Sequence, residues 1–255
     1  MSTGPGLKRL PTTFSRTLPQ IKPALHGLLD LLFPTFCPAC GIPVPHPQLF
    51  CFDCIRTLPP LPEHHCLYCG TTTSGPVLGC GSCLLVPNRP DRVCFPFTYT
   101  EPIARLIVQF KFSDRTEWAA SLIDLAMERV GDLLIWEDLE LVVPVPLHPL
   151  RLVWRGYNQA ALLAGALARR LDRPLVTNGL YRIKMTRPQT RLRQKERLIN
   201  VRNAFTTHND VIANRTILLV DDVFTTGSTI WSATRALKKG GARRVVIFCL
   251  ARVDH

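Results

Sequence analysis

The sequence predicts an α/β fold: a parallel sheet flanked by helices, preceded by a small cysteine-rich domain. Three observations carry this reading. Strand-like and helix-like apolar periodicities alternate from residue 92 to 250, eight cysteines between 37 and 83 fall into a repeated C-x-x-C pattern, and the apolar run at 217–220 passes directly into two acids and a hydroxyl- and glycine-rich turn. With 255 residues and 46% hydrophobic content, the chain can hold one sizeable domain and one small one. The expected division is a basic leader and short helix over 1–33, a cysteine-rich unit over 34–92 and an α/β domain over 93–255.

Residues 1–23 contain four prolines, two glycines and no acid, the composition of a basic, loosely held arm. A short amphipathic helix is expected from Ala24 to Phe33, and packing against the cysteine-rich unit is a simpler use for it than a membrane surface. The densest early apolar patch, Leu28–Phe33, is interrupted by Asp30, and no run approaches the length of a membrane span, so no membrane insertion is expected.

Cys37 and Cys40 are followed after ten residues by Cys51 and Cys54; Cys66 and Cys69 are followed after ten residues by Cys80 and Cys83. The second set copies the first at an offset of 29 residues, an internal repeat. Each C-x-x-C pair is half of a tetrahedral thiolate site, and two pairs close it with no open position for catalysis, so two structural Zn²⁺ ions are the simplest count. Sequential pairing and interleaving between repeats both satisfy the spacing; sequential pairing is the expectation. A disulfide framework would need an oxidising compartment. Lys8, Arg9, Arg16 and Lys22 are not followed by the continuous apolar run of a secretory signal, so reduced thiols and a cytoplasmic location are expected. The stretch 34–92 is rich in Pro and Gly and short of long apolar runs, so metal, more than core burial, should fold it. Cys94 and Cys249 lie within apolar runs and read as buried thiols.

In the second domain, Arg92–Thr100 reads as a strand, Ile103–Phe112 as mixed apolar residues leading to Lys111, and Ala119–Val130 as an amphipathic helix. Leu139–Val145 reads as a strand ending in Pro-Val-Pro-Leu-His, and Gln159–Leu171 as an alanine-rich helix. The strand at 217–220, a helix to Lys239, the stop at Gly240-Gly241 and the strand Arg244–Leu250 complete the alternation.

The most informative string is Ile-Leu-Leu-Val-Asp-Asp-Val-Phe-Thr-Thr-Gly-Ser-Thr-Ile at 217–230. The turn lies where a strand ends and a helix begins, so free backbone N–H groups and the positive end of the helix dipole favour a phosphate. Thr225, Thr226, Ser228 and Thr229 add hydroxyl donors, and Gly227 lets the main chain approach closely. Asp221 and Asp222 are expected at the strand's carboxyl end, where ligands bind in open α/β sheets, able to accept hydrogen bonds from ribose hydroxyls. The combination suits a phosphorylated sugar. Neither a Walker loop nor a G-x-G-x-x-G string occurs.

A second wall is expected from the loop after Val145, with Leu147, His148, Arg151 and Arg155 leading into Gly156, Tyr157, Asn158 and Gln159. His148 alone is as readily a surface or core histidine as a ligand contact. From Arg182 to Arg202 the chain places eight Lys or Arg, including Arg187 and Arg191, against the single acid Glu196. This stretch reads as a lid, as a solvated charged loop or, with a net charge of +12, as a surface for nucleic acid.

The two acids followed by Thr-Thr-Gly-Ser-Thr resemble the phosphoribosyl pyrophosphate (PRPP) motif of type I phosphoribosyltransferases. Taken with the repeated C-x-x-C pairs, Leu-Leu-Phe-Pro at 31–34, Val-Pro-Val-Pro-Leu-His at 143–148, Arg-Gly-Tyr-Asn-Gln at 155–159, Arg-Pro-Gln-Thr-Arg-Leu at 187–192 and Asn-Val-Arg-Asn-Ala-Phe at 200–205, the chain resembles the competence protein F (ComF/GntX-like) family over about residues 28–253. The resemblance implies a double zinc ribbon followed by a type I phosphoribosyltransferase-like domain. It also implies PRPP bound with Mg²⁺: Asp221 and Asp222 on the ribose, the 225–229 turn on the 5′-phosphate, and the basic residues at 147–155 and 187–191 at the pyrophosphate and hood. Family members in naturally competent bacteria assist handling of incoming single-stranded DNA, which implies DNA and a competence-machinery protein as partners. Two functions stay open: pentosyl transfer from PRPP, or a non-catalytic DNA-handling accessory with a vestigial or regulatory PRPP site. One departure bears on the choice. Purine-salvage enzymes carry an acid at the position of Thr225 that assists proton transfer, so this chain looks closer to the orotate type or to a binder.

Overall fold

The computed structural model describes residues 35–45, 48–59, 62–112, 115–130, 138–184, 203–207 and 209–254. The expected helix at 24–33 and the Leu-Leu-Phe-Pro string lie outside the described residues, as do Arg187, Arg191 and the rest of the basic stretch from 185 to 202.

The two cysteine repeats build the same unit twice. In the first, β1 (Thr35–Phe36) pairs antiparallel with β2 (Pro43–Val44) around a turn in which Gly41 N donates to Cys37 O at 2.8 Å. In the second, a bridge between His65 and Thr72 frames a turn in which Gly70 N donates to Cys66 O at 2.7 Å. Gly41 and Gly70 take φ of 76° and 72°, the left-handed region that suits glycine. The second C-x-x-C of each repeat starts a short helix, α1 (Phe52–Arg56) and α2 (Gly81–Leu84), with Cys51 and Cys80 as N-caps in nearly identical extended conformations. The 29-residue offset is therefore a repeat of structure as well as of sequence.

The ribbons sit on the rest of the chain in different ways. Cys37, Val44, Leu49, Phe50 and Leu58 join a common core with Phe97, Ile103, Ile107 and Trp118, while the Arg129 guanidinium donates to Pro59 O at 2.6 Å and Leu58 O at 3.2 Å. The second ribbon is held by Arg252, which donates to Cys69 O at 2.9 Å and Thr71 Oγ1 at 3.0 Å and pairs with Asp254. A Cβ on Gly70 would lie 2.0 Å from Phe95 Cε1, whereas one on Gly41 meets nothing within 4 Å.

The sheet is parallel, in the order β3 (Arg92–Cys94), β9 (Arg244–Arg252), β8 (Thr216–Phe224), β5 (Leu141–Pro144), with β4 (Phe97–Thr98) also on β9. Helices α3 (Ile103–Phe112), α4 (Trp118–Val130) and α6 (Gln159–Leu171) pack with one face; α8 (Ser228–Lys239) covers the other. Leu218, Val220, Val246, Phe248 and Leu250 point into the first core, and Ile217, Leu219, Val245, Ile247 and Cys249 into the second. Burial on both faces explains why these strands read as unbroken apolar runs. Cys94 and Cys249 are buried thiols, as expected.

Several elements differ from the sequence expectation. The strand expected over 92–100 is two strands, because Phe95 and Pro96 interrupt it and proline offers no N–H to the ladder. Residues Pro149–Arg155, read as loop, form α5, with His148 capping it by accepting from Leu150 N and Pro149 in the first turn. Strand β8 runs on to Phe224, four residues past the expected end at 220, with Asp221 and Asp222 in its carboxyl-terminal part as expected. An antiparallel pair, β6 (Tyr181–Arg182) with β7 (Phe205–Thr206), and the short helix α7 (Asn209–Ile212) had no clear period in the sequence.

Candidate functional site

At the carboxyl ends of β5 and β8 a cavity of about 700 Å³ opens, lined by residues that lie far apart in the chain. Strand β8 brings Asp221, Asp222 and Val223; the turn beyond it brings Thr225, and α8 brings Thr229. The segment after β5 and helix α5 bring Leu147, Arg151, Trp154 and Arg155. Lys111 and Phe112 come from the end of α3, Tyr99 from the segment after β4, and Arg182 from β6. Of the described residues expected from sequence, Thr226, Gly227, Ser228, His148, Gly156 and Tyr157 are not among those lining the cavity. Lys111, Arg182 and the aromatics Tyr99, Phe112 and Trp154 are additions. No spacing rule marks them, because they meet only through the crossovers.

The turn at 225–229 is shaped by glycine. Gly227 has φ of 73°, and a Cβ there would lie 2.5 Å from Trp231 Nε1 and 2.7 Å from Phe224 Cζ. Thr226 Oγ1 and Ser228 Oγ share a 2.8 Å hydrogen bond, and no side chain of the capping residue covers the first N–H groups of α8. The helix start thus keeps the donors and partial positive charge that attract an anion.

The Arg155–Gln159 string does structural as well as lining duty. Gly156 ends α5 with φ of 80°. Asn158 Oδ1 accepts from Ala160 N at 3.1 Å, capping α6, while its Nδ2 donates to Val145 O at 3.1 Å. Tyr157 Oη donates to Phe110 O at 2.8 Å. Only Arg155, with Arg151 one helical turn before it, gives the cavity a strongly basic wall.

The acids are not alike. Asp222 pairs with Lys111 Nζ at 3.0 Å. Asp221 accepts from Asp222 N at 2.9 Å and lies partly buried at the cavity wall, and burial together with the neighbouring Asp222 charge pushes its carboxyl up to about 7; the hydrogen bond to Asp222 N, Lys111 and Arg182 pull the other way. Burial and the Arg151 charge in turn hold the Arg182 guanidinium down to about 10.

The cysteines group sequentially. Cys37, Cys40, Cys51 and Cys54 form one set and Cys66, Cys69, Cys80 and Cys83 the other, the Sγ atoms of each within 4.8 Å of one another. Zinc–thiolate bonds of about 2.3 Å place tetrahedral sulfur atoms about 3.8 Å apart. Cys40 and Cys51, and likewise Cys69 and Cys80, have Sγ atoms 3.8 Å apart. Backbone amides already serve the sulfurs: Cys54 N donates to Cys51 Sγ at 3.4 Å and Cys80 N to Cys66 Sγ at 3.2 Å. Four thiolates in this geometry fit a closed structural Zn²⁺ site in each ribbon.

Residues 28–84 match the double zinc ribbon domain and residues 158–255 the phosphoribosyl transferase domain. Competence protein F of Haemophilus influenzae is 35% identical over 207 residues, covering 79% of this chain and 90% of the relative. DNA utilization protein YhgH of Escherichia coli K12 is 35% identical over 190 residues, covering 73% and 83%. Competence protein ComFC of Bacillus subtilis is 30% identical over 217 residues, covering 79% and 83%. The parallel sheet with flanking helices is thus of the type I phosphoribosyltransferase kind, behind a double zinc ribbon.

Metal analysis of the purified chain is expected to find two zinc ions, and Cys66→Ser to leave one with a lowered melting temperature; two ions retained in the variant would refute the sequential sets. The Asp221 carboxyl, raised in the folded state, makes the native chain hold more protons than the unfolded chain from the ordinary carboxylate range up to about 7. Its contribution to stability therefore falls as pH rises through that window and is flat above it. Asp221→Asn should raise the melting temperature most at pH 8, with the gain shrinking as pH falls from 7 toward 4. A gain independent of pH would show that the carboxyl is not raised.

Proposed function

The chain belongs to the competence protein F family, and from that premise we propose that its cavity binds PRPP with Mg²⁺ and transfers the phosphoribosyl group to a nitrogen nucleophile. The observation that carries this reading is the meeting of three chemistries in one cavity: two acids, an anion-attracting helix start and an arginine wall. The 5′-phosphate lies at the 225–229 turn, where the α8 amides and the Thr225 and Thr229 hydroxyls donate. Asp221 and Asp222 accept from the ribose diol and fix the anomeric carbon. Arg151 and Arg155 hold the departing pyrophosphate.

Displacement breaks the bond from the anomeric carbon to the pyrophosphate oxygen and forms one to nitrogen, through a state with oxocarbenium character. The nucleophile's proton leaves to solvent or to the pyrophosphate. Mg²⁺, bound with the diphosphate, would supply neutralisation of the leaving group. The protein's share is positioning and electrostatics: carboxylates near the developing positive charge and guanidinium groups at the developing negative charge. The carboxylate side of the cavity is at full strength only above about pH 7, where Asp221 is ionised. Thr225 offers a hydroxyl and no proton acceptor of carboxylate strength, which fits an acceptor that is already acidic or deprotonated.

A second reading is favoured by the relatives, which are named for competence and DNA utilization, and by the net charge of +12. On it the protein is an accessory that handles single-stranded DNA, with the PRPP site regulating it or left over, and acts beside a protein of the uptake machinery. Among the described residues no helix is long and apolar enough to cross a membrane.

Calorimetric titration with PRPP is expected to show Mg²⁺-dependent binding, weakened about ten- to a hundredfold by Asp222→Asn through loss of a charge-assisted hydrogen bond to the diol. Pyrophosphate release when acceptor bases are added separates catalysis from binding, and unchanged PRPP affinity in the variant would reject the role given to Asp222. For the second reading, single-stranded oligonucleotides are expected to bind with an affinity that falls steeply as salt rises, about 0.7 log units per decade of salt for each phosphate neutralised. A flat salt response would count against it.

A further inference from the structure

Lys111 lies in the last turn of α3, and its ammonium stands 3.0 Å from Asp222 Oδ1 with both side chains largely enclosed, 20% and 15% exposed. The backbone beneath it is gripped from the opposite wall. Gln159 Nε2 donates to Lys111 O at 3.4 Å, Tyr157 Oη donates to Phe110 O at 2.8 Å, and the Arg155 guanidinium lies 4.9 Å from the centre of the Phe112 ring. Arg155 is itself tied to Gln159 Oε1 at 3.0 Å. Three consecutive residues at the end of α3 are thus each engaged by a residue of the 155–159 turn. The last carbonyls of a helix have no partner within it, and this turn supplies two of them.

The arrangement gives Lys111 a place in the cavity and a direction. Asp222 shares the cavity with Thr225 and Thr229 and with Arg151 and Arg155, and the backbone of Lys111 is tied through Gln159 to Arg155. On the PRPP reading, on which this inference rests, Asp222 has to accept hydrogen bonds from a diol, and the ion pair with Lys111 engages one of its two oxygens, Oδ1. A lysine is suited to exchange partners, being a compact charge on a flexible stem and not a planar fork committed to one carboxylate. We propose that Lys111 is a ligand-binding residue that moves from Asp222 to the diphosphate when the ribose diol arrives, so that the resting ion pair keeps each group neutralised until the substrate separates them. The Arg155–Gln159 string then has a second use: it sets the helix end from which Lys111 reaches both partners.

The test compares PRPP with ribose 5-phosphate, which carries the sugar hydroxyls and the 5′-phosphate but no diphosphate. Each is titrated with Mg²⁺ into the full chain and into Lys111→Met and Lys111→Arg, ribose 5-phosphate also as a competitor of PRPP. Zinc content and melting temperature report on folding. Lys111→Met should weaken PRPP about tenfold or more and leave ribose 5-phosphate nearly unchanged, and Lys111→Arg, which keeps the charge but sets a planar fork against Asp222, should recover only part of the loss. Equal losses for both ligands would overturn the proposal, since Lys111 would then act only by supporting Asp222 or the fold. Unchanged PRPP affinity in Lys111→Met would overturn it as well. A wild-type chain that binds no PRPP would bring down the PRPP reading and this inference together, whereas PRPP binding that is indifferent to Lys111 defeats the inference alone.

Discussion

Strand β8 has to do two incompatible things, and the rest of the molecule is arranged around that constraint. Through Val220 it is packed on both faces and hydrogen-bonded on both edges, as buried as any segment here. One residue later it presents carboxylates. Burying charge costs several kcal/mol unless a partner or water meets it, so the sheet must open where the acids begin. It does so by ending β5 at Pro144, four residues short of the end of β8. The chain leaving β5 turns away to form α5, and the cavity is the space left over. Asp222 is matched by Lys111, while Asp221 accepts an amide and bears the strain of burial as a raised pKa.

The cysteine-rich part solves the opposite problem. It has little apolar material of its own, and its first hairpin has two residues on each strand while its second is a single bridge. Metal–thiolate bonds can supply on the order of 10 kcal/mol of folding free energy where a core cannot. What core it has is shared, for Phe50, Leu49 and Val44 are sealed by α3 and α4 residues. The ribbons are therefore locally specified by metal and globally placed by the larger domain.

Much of this was legible in the sequence, and the parts that were not share a cause. The repeat of C-x-x-C pairs, the doubly buried strands and helix α6 are written in local spacing, so their existence could be read directly, with the limits of α6 matched and those of the strands off by up to four residues. The motif that ends β8 and opens α8 identified Asp221, Asp222, Thr225 and Thr229 as neighbours because they are neighbours in the chain. Lys111 and Arg182 could not be found that way: each is brought to the cavity by packing of α3 or pairing of β6 with β7. Helix α5 was missed for a different reason. Its side chains Val153 and Trp154 are exposed, at 83% and 80%, so no buried stripe produces a helical period, although Pro149 after a capping His148 was a usable start signal. The Arg155–Gln159 string was recognisable, but its residues divide between cavity lining and hydrogen bonds that hold helix ends.

The two cysteine repeats began as equals, and their glycines show how far they have parted. At Gly41 only the backbone angle asks for glycine, since the space above it is empty; at Gly70 the ring of Phe95 and the stem of Arg252 sit where a side chain would be. The same turn is left open at Gly41 and is packed against its neighbours at Gly70, although both ribbons are docked on the larger domain. Sequence drift should consequently be tolerated unevenly between halves that look interchangeable when aligned, with the later half recording the history of its neighbours on β3 and β9.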